Sequence, residues 1–497
     1  MTLDADVVVI GAGLSGLVCA RRLVEGGLRV VVLEARDRVG GRLHTGRVGD
    51  QLVDLGGHLM TATQDRLAAL ADELGIESAI PDRSGKQRFP KGGLFAALAQ
   101  YRAVLRIQRL MKLGVDRHRD ASPDDPAENQ VGVDRHRGAD RAERHRRIQR
   151  ADLDARTLAD HLASIRNSVA RERLALHAEL IFAADPADLS LLAYLQRMAV
   201  TGGFAPQGEL PGGGRERFFH AGAQELAIRL ASDLEAAATQ APLPSTTESS
   251  ALPVAQPIIR LSSNVVAIEQ GDEGVRVVVN AGSECEQMPD GGFAERLLMK
   301  TFAAKRVVLA IPPAIVRHIR VELPPAARAF VERAHVGGVV KIFVAYDRAF
   351  WRDAGYSGEA YRPARSGEAA ALNAVRAVVA NGNVLVAFVV GREAARWAAR
   401  GADDRRREVI DTLAEEFGEA ARDAIDYVEA DWAADPWSAG CVASTPVGAI
   451  TKGAAWGEAF DRVHVAGTEA ARVWTGYMDG AIEAGERAAS EVLAASD

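Results

Sequence analysis

The chain has 497 residues, of which 48% are hydrophobic and 26% charged. This composition is typical of soluble globular proteins, and the length favours about two or three domains. The net charge of -7 is small for this length, so it excludes a global attraction to nucleic acid or to an anionic membrane surface. No basic protein partner is implied either.

The cysteine content and the hydropathy of the chain bear on its compartment. Cys19, Cys285 and Cys441 are too few and too scattered for a disulfide framework or a Cys-based zinc site. No cluster with metal-ligand spacing is present, so we expect no metal. The first strand begins almost at the N-terminus without a signal-peptide pattern, and no apolar run reaches the roughly 18 residues of a membrane span. We therefore expect a cytoplasmic protein without a membrane segment, whose oligomeric state is left open between a monomer and a homodimer.

The most informative local pattern lies near the N-terminus. A short apolar run precedes Gly11, Gly13 and Gly16, which form a G-x-G-x-x-G motif; a helical stretch and a second apolar run then lead to Glu34. Gly11 allows a tight turn, Gly13 allows close approach of a pyrophosphate, and Gly16 allows the helix to pack closely on the sheet. Glu34, about 20 residues further on, would accept a hydrogen bond from a ribose hydroxyl. The pattern predicts a dinucleotide site, open at this point to either NAD or FAD.

The remaining N-terminal half is predicted to change from α/β to mainly helical structure. A strand at residues 51–55 leads into Gly56-Gly57-His58, and one compact α/β segment ends at about residue 82. Helical patterns follow at 153–165 and 171–182. Residues 114–150 are crowded with Arg, Asp and His and repeat V-D-R-H-R, so they cannot bury a core and are predicted to be a mobile insertion.

The C-terminal half is predicted to contain most of the strands. Lys341 lies inside an otherwise apolar strand pattern, so it either extends to solvent at a strand edge or serves a buried site, and the pattern alone does not decide. Residues 236–257 are predicted to be a surface loop and residues 282–300 an extended hairpin loop. The other elements are predicted as strands at 265–269, 275–280, 306–310, 339–346, 384–390 and 463–466, and as helices at 224–234, 403–417 and 477–493.

Four blocks of this sequence resemble the flavin-dependent monoamine oxidase family. They are G-A-G-L-S-G-L near the N-terminus, E-A-R-D-R-V-G-G-R from residue 34, D-L-G-G from residue 54, and A-G-T-E with W-T-G-Y-M-D-G-A-I-E-A-G-E-R-A near the C-terminus. The resemblance covers nearly the whole chain outside the insertion and the two loops. It implies an α/β fold (α+β overall), with a Rossmann-like FAD-binding domain built from discontinuous segments and a substrate-binding domain of mixed sheet and helices. The implied segments are 1–82, 214–320 and 434–497 for FAD, and 83–213 and 321–433 for the substrate.

The resemblance implies FAD as the cofactor and assigns residues to it. The glycine loop and Glu34 would hold the adenosine diphosphate half, and Val266 would meet the adenine through its backbone. Arg36 and Arg42 would neutralise phosphate charge, with a surface ion pair as the alternative for each. The residues assigned to FAD are Gly11, Gly13, Ser15, Gly16, Glu34, Ala35, Arg36, Gly41, Arg42, Gly56, Gly57, His58, Val266, Cys441, Gly467, Thr468, Glu469 and Met478.

The resemblance also assigns Lys341, Tyr477 and Trp432 as catalytic residues. In the family a lysine in the matching strand holds a water near flavin N5 and assists the reaction with oxygen. Tyr477 supplies one of two aromatic rings that commonly stand beside the amine. Val442 takes the place of the other ring, which is a departure from the family. Trp432 matches a tryptophan near the cavity, with core packing as its alternative role.

Cys441 matches a cysteine that forms a covalent thioether with the flavin in mammalian-type members. The alternative is a small apolar residue beside a flavin that is bound without a covalent bond. The sequence leaves both readings open.

The function implied by the resemblance is oxidation of a small-molecule amine to an imine. A hydride passes to flavin N5, and O2 reoxidises the flavin with release of hydrogen peroxide. One alternative is C-N oxidation within a larger biosynthetic intermediate, for which Val442 gives the reason. A second is a dehydrogenase of the carotenoid-desaturase or porphyrinogen-oxidase type, against which Lys341 and Tyr477 argue. A flavin-binding scaffold without turnover is the non-enzyme alternative.

Overall fold

The structure is a computed structural model that describes residues 3–61, 63–88, 92–114, 149–204, 217–240, 257–287, 293–362, 374–377 and 382–495. The predicted insertion at 114–150 therefore lies outside the described residues except at its two ends. Most of the predicted loop at 236–257 lies outside them as well.

Strands and helices are interspersed along the chain, and most of the longer strands lie in its C-terminal half. The strands are β1 (Val7–Ile10), β2 (Val30–Leu33), β3 (Thr45–Val48), β4 (Gln51–Asp54), β5 (Leu59–Met60), β6 (Ser78–Ala79), β7 (Lys86–Arg88), β8 (Arg217–Phe219), β9 (Ile259–Arg260), β10 (Asn264–Gly271), β11 (Gly274–Gln287), β12 (Phe293–Ala304), β13 (Arg306–Leu309), β14 (His335–Val336), β15 (Val339–Ala345), β16 (Tyr356–Tyr361), β17 (Ala374–Ala377), β18 (Val384–Val390), β19 (Asp426–Asp431), β20 (Ala443–Ser444) and β21 (Val463–Val465). The helices are α1 (Leu14–Glu25), α2 (Asp65–Glu73), α3 (Leu94–Gly114), α4 (Leu158–Ala163), α5 (Ser168–Phe182), α6 (Leu191–Val200), α7 (Gln224–Gln240), α8 (Pro313–Val316), α9 (Pro325–Arg333), α10 (Phe350–Asp353), α11 (Arg392–Ala398), α12 (Ala402–Phe417) and α13 (Met478–Ala494).

A five-stranded parallel sheet carries the glycine loop. Its strand order is β21-β13-β1-β2-β9, so it joins strands that lie more than 400 residues apart in sequence. Val7 and Val9 pack with α1, α7 and α13 on one face, while Val8 and Ile10 pack with β10, β11 and β12 on the other. Both faces of β1 are covered, which explains its continuous apolar sequence. The predicted α/β fold with a Rossmann-like sheet is confirmed.

The predicted hairpin loop at 282–300 is wrong in its extent. β11 and β12 pair in antiparallel fashion from Val275 with Ala304 out to Gln287 with Phe293, with a shift in register between Asn280 and Ser283. Backbone hydrogen bonds hold this ribbon whether or not its side chains are buried. The polar composition of the outer part therefore resembled a loop although its backbone continues the strands.

A six-stranded mixed sheet places Lys341 in the interior. Its order is β19-β15-β18-β17-β16-β7, and all seven residues of β15 are buried between two neighbouring strands. Val340, Ile342 and Val344 pack on one face against α11 and α12, while Phe343 belongs to a separate cluster on the other. Lys341 shares the face of Phe343, since alternate side chains point the same way. β15 is not an edge strand, which excludes the solvent-exposed alternative for Lys341.

The helices α3, α4, α5 and α6 form a third core around Ile107, Leu174 and Tyr194. Ala183 ends α5 in the left-handed conformation with φ 50°, and Ser190 caps the first turn of α6 through its side chain. Helix α7 runs six residues beyond its predicted end at 234. Among the described helices, none combines the length and the apolar character needed to cross a membrane.

Candidate active site

One cavity joins the glycine loop to the buried lysine. Its wall includes residues from the N-terminal block, from β15 and β18, and from the start of α13. Gly16, Val266 and Glu469 are the predicted site residues that are not part of this wall. The predicted residues that do line it are Gly11, Gly13, Ser15, Glu34, Ala35, Arg36, Gly41, Arg42, Gly56, Gly57, His58, Lys341, Trp432, Cys441, Gly467, Thr468, Tyr477 and Met478.

The glycine-loop end of the cavity has the geometry of an anion site. Gly11 turns the chain out of β1 with φ 103°, a conformation that side chains rarely adopt. Helix α1 then begins after Gly13 with no side-chain cap and no acidic residue in its first turn. Its first N-H groups lack partners within the helix, so they can donate to phosphate. A Cβ atom at Gly16 would collide with the carbonyl oxygen of Gly11, which gives Gly16 the packing role that was predicted.

Glu34 is held in place at the same end. It is 4% exposed, and its two carboxylate oxygens accept hydrogen bonds from the N-H groups of Ala12 at 2.8 Å and Arg36 at 2.9 Å. A carboxylate oxygen accepts more than one hydrogen bond, so Glu34 retains capacity for a ribose hydroxyl. The Glu34 carboxylate as acceptor and the open N-terminus of α1 as donor fit the adenosine diphosphate half of FAD.

Both arginines that were predicted to neutralise phosphate already have carboxylate partners. Arg36 donates to Asp435 at 2.6 Å and to Ser438 at 2.8 Å. Arg42 forms a bidentate pair with Glu469 at 2.7 and 2.9 Å and donates to the carbonyl of Cys441 at 2.6 Å. Both guanidinium groups thus form ion pairs, as the alternative prediction had it. These pairs lie at the cavity and are largely shielded from solvent, so they are not surface pairs. Much of their charge is compensated within the protein.

Two further residues that were predicted to contact FAD, Val266 and Glu469, lie outside the cavity wall. Val266 lies at a bulge of β10, where the register shifts between Val265 and Ala267, and its carbonyl accepts from Arg320 at 3.0 Å. The cavity is instead lined by Ser263, Asn264 and Val265. Glu469 lies behind the wall, where it fixes Arg42. Val266 is the unpaired residue of this bulge, and a strand pattern does not reveal where a bulge lies.

The N-terminal and C-terminal blocks interlock directly. The N-H of Gly467 donates to Oγ of Ser15 at 2.8 Å. The hydroxyl of Thr468 donates to the carbonyl of Tyr477 at 2.8 Å, and Met478 begins α13 directly after it. A Cβ atom at Gly485 would collide with the carbonyl of Ser15, so α1 and α13 pack at backbone distance. The close contacts of Gly467 and Gly485 with Ser15 therefore place the start of α13 at the cavity.

Lys341 is a buried cation that is bound by backbone carbonyls. Its Nζ donates to the carbonyl of Asp54 at 2.5 Å and to that of Gly56 at 2.8 Å, and it lies 3.4 Å from Nδ1 of His58. Burial lowers the pKa of the Lys341 ammonium from 10.5 to about 8, although the Asp54 carboxylate opposes this shift. Its neighbours therefore come from the D-L-G-G block, and at neutral pH it places a positive charge at the cavity.

Three aromatic side chains shape the same end of the cavity. Trp432 lines it and donates from Nε1 to the carbonyl of Leu55 at 2.8 Å, so it combines a cavity position with core packing. Phe388, which sequence analysis did not identify, lies opposite Lys341 in the register of β15 and β18. Tyr477 supplies the third ring. Val442 is buried and is not part of the cavity wall. At this position the chain therefore places no aromatic ring in the wall.

Cys441 lines the cavity with a partly buried side chain. Burial raises the pKa of this thiol above its ordinary value, against the opposing effects of Arg42 and Arg197. Cys441 and Cys19 are both free in the described part of the chain. Among the described residues, no group of His, Cys, Asp and Glu is arranged to hold a metal ion.

Asp54 and Arg197 are further residues near the site that sequence analysis did not identify. Asp54 lies in the recognised D-L-G-G block, so its place in the sequence was a signal for it. Arg197 lies on α6, where nothing in the local sequence distinguishes it from a surface arginine.

The chain is similar to flavin-containing amine oxidases along nearly its full length. A family profile described as "Flavin containing amine oxidoreductase" matches residues 14–493. A Mycobacterium tuberculosis protein named as a flavin-containing monoamine oxidase, AofH, is 31% identical over 98% of this chain and 96% of its own length. Human amine oxidase [flavin-containing] B is 29% identical over 99% of this chain and 87% of its own length.

Solved structures support the same relationship. Cyclohexylamine oxidase from Brevibacterium oxydans has 25% identity and a TM-score of 0.78, with 99% of both chains covered. Putrescine oxidase bound to putrescine has 23% identity and a TM-score of 0.77 over 99% of both chains, which shows the shared fold. The chain belongs to the flavin-containing amine oxidoreductase family and is an oxidoreductase.

Proposed function

We propose that this protein oxidises a small amine at its C-N bond to an imine, with FAD as the hydride acceptor and O2 as the final oxidant, releasing hydrogen peroxide. The observation that carries the proposal is the single cavity that connects the glycine loop and Glu34 with Lys341 and Tyr477. One end fits a dinucleotide and the other is lined by aromatic rings and a buried cation. This combination favours amine oxidation over binding without turnover.

Each residue has a task that its contacts support. The N-terminus of α1 and Glu34 would hold the adenosine diphosphate half of FAD, which would supply the hydride acceptor. Tyr477, Trp432 and Phe388 provide an apolar, aromatic surface that excludes water and favours the uncharged amine. Lys341 holds a proton and a positive charge at Nζ, fixed by two carbonyl groups. The Arg42 pair with Glu469 fixes the wall near Cys441.

The proposal is tested by anaerobic addition of a panel of amines to the FAD-loaded protein. We expect at least one primary or secondary amine to bleach the flavin absorbance near 450 nm, a band expected of flavins generally, and admission of air to restore it with peroxide release. Alcohols of matched shape serve as the control. Absence of bleaching with every amine would contradict the proposal. Bleaching only by a large heterocyclic amine would favour the alternative of a biosynthetic intermediate.

Cys441 raises the separate question of how FAD is attached. Because burial disfavours the reactive thiolate, we expect the flavin to be bound without a covalent bond. Acid precipitation should then leave the yellow colour in the supernatant, and Cys441→Ser should change neither that result nor the FAD content. Colour that pellets with the wild-type protein but not with Cys441→Ser would instead establish a thioether.

The domain organisation and location are part of the same proposal. The FAD-binding domain comprises residues 1–82, 214–320 and 434–497, and the substrate-binding domain comprises 83–213 and 321–433. The parallel sheet supports this division, because all its strands come from the first group of segments.

The free thiols of Cys19 and Cys441 support a reducing cytoplasm as the place of action.

A further inference from the structure

Arg197 is a buried cation without a carboxylate partner. The residue is 7% exposed, and its Nε atom is buried without a hydrogen-bond partner. Its guanidinium contacts two rings, with Cζ 4.7 Å from the ring centre of Phe182 and 5.8 Å from that of Tyr477. Among the ion pairs of the described residues, none involves Arg197. A buried charge is costly when unpaired, so this arrangement calls for a ligand or a function.

The guanidinium lies directly behind the cavity wall. A Cβ atom at Gly476 would collide with its terminal nitrogen atoms, so the group packs on the backbone of Gly476. Gly476 and Tyr477 both line the cavity. The positive charge of Arg197 is therefore separated from the cavity only by Gly476 and Tyr477. The amine is proposed to approach the ring of Tyr477.

The charges around Arg197 do not cancel its own. Its electrostatic neighbours are Tyr477, Cys441, Glu469 and Arg42. Glu469 is already engaged by Arg42 in a bidentate pair. Tyrosine and a thiol whose pKa is raised are neutral at pH 7. Burial lowers the pKa of Arg197, but a guanidinium does not lose its proton in proteins. With Lys341 also cationic, this end of the cavity carries a positive field.

We propose that Arg197 makes the amine site selective for charge: the site binds the neutral amine, prefers substrates that carry a carboxylate, and disfavours substrates with a second ammonium group. The inference rests on the proposed function and names the substrate class for the same site. Its physical basis is the Coulomb interaction across a low-dielectric wall, which is sufficient for about a tenfold effect per unit charge over such distances.

The proposal is tested first by ligand binding, which does not depend on turnover. Pentanoate and pentanamide have nearly the same shape and differ in charge. We expect the FAD-loaded protein to bind pentanoate about tenfold more tightly than pentanamide, measured by perturbation of the flavin spectrum and by thermal shift. Arg197→Met should abolish the difference, while Arg197→Lys should preserve its direction. Equal binding of both ligands by the wild type would overturn the inference, even if amines are oxidised.

A substrate series then tests selectivity during turnover. Pentylamine, 5-aminopentanoate and 1,5-diaminopentane carry a neutral, a negative and a positive distal group. We expect kcat/KM to fall from the carboxylate to the neutral to the diamine substrate by about tenfold per step, and Arg197→Met to compress the series while Arg197→Lys retains the order. An order that survives in Arg197→Met overturns the inference.

Arg197→Met and Arg197→Lys also distinguish an effect of the lost charge from an effect of altered folding. FAD content and the thermal midpoint of each variant show whether it folds, and Arg197→Gln replaces Arg197→Met if the latter loses FAD. If no amine is oxidised, the proposed function fails while the pentanoate comparison still tests Arg197. A merely structural role would lower all affinities together and leave the ratio of pentanoate to pentanamide unchanged, which also contradicts the proposal.

Discussion

Lys341→Met is expected to slow reoxidation of the reduced flavin by O2 by about 10²-fold or more, the usual effect of removing one preorganised charge or donor from a reacting centre. Reduction by the amine should change by no more than about threefold, because the aromatic walls remain. The reason is that Lys341 places a buried positive charge at the cavity and has only backbone carbonyl partners among its closest contacts. Such a charge stabilises negative charge that develops on oxygen.

Stopped-flow measurement of each half-reaction separates the two effects. Lys341→Arg is the matched variant that keeps the charge, and it should retain more of the oxygen rate than Lys341→Met. The two carbonyls of Asp54 and Gly56 lose their donor in Lys341→Met, so the FAD content and thermal midpoint must be measured alongside. Equal slowing of both half-reactions would contradict a role in the oxygen step.

The pKa of Lys341 gives this prediction a pH dependence. With a pKa of about 8, the ammonium is lost as pH rises through that value, so the oxygen rate should fall above pH 8 in the wild type and be nearly flat in Lys341→Met. The folded-state pKa lies below the unfolded value of 10.5, so the unfolded chain binds more protons between pH 8 and 10.5. This group therefore costs stability below pH 8, on the order of 3 kcal/mol, and the cost disappears as pH rises to 10.5.

Arg42→Met is expected to lower the free energy of unfolding by about 3 to 5 kcal/mol at pH 7, because it leaves a buried carboxylate without its partner. The side chain of Glu469 is only 2% exposed, and both its oxygens are bound by Arg42. The double variant Arg42→Met/Glu469→Gln should recover most of the loss. Chemical denaturation of the FAD-loaded proteins measures both effects.

A surface pair provides the matched control. Arg422 and Asp411 are each 47% exposed, so Arg422→Met should destabilise the protein much less than Arg42→Met, because solvent screens an exposed pair. The presence of Arg42 lowers the pKa of the Glu469 carboxyl although burial alone would raise it. The stability that this pair provides is present above the unfolded pKa of Glu469 and is lost as pH falls below it. The difference between wild type and Arg42→Met should therefore narrow in acid, and an equal difference at pH 4 and pH 7 would contradict the explanation.

The sequence by itself determined the features that depend on local spacing. The glycine loop and Glu34 follow from the turn, close approach and hydrogen bonding that a few neighbouring residues impose. The strand around Lys341 follows from its run of branched apolar residues, and the family follows from four short blocks. These inferences hold because a backbone conformation and a strand period are properties of adjacent residues.

Tertiary structure alone decided which side chains meet. Lys341 proved to be buried because β18 and β19 cover both edges of its strand, and strand order cannot be read from one strand. Arg42 forms an ion pair with Glu469 across 427 residues of sequence, and the local sequence around Arg42 gives no sign of this partner. Arg197 looked like any arginine on a helix until the fold placed it behind Tyr477. Pairing and burial depend on contacts between distant segments, and only the folded chain specifies them.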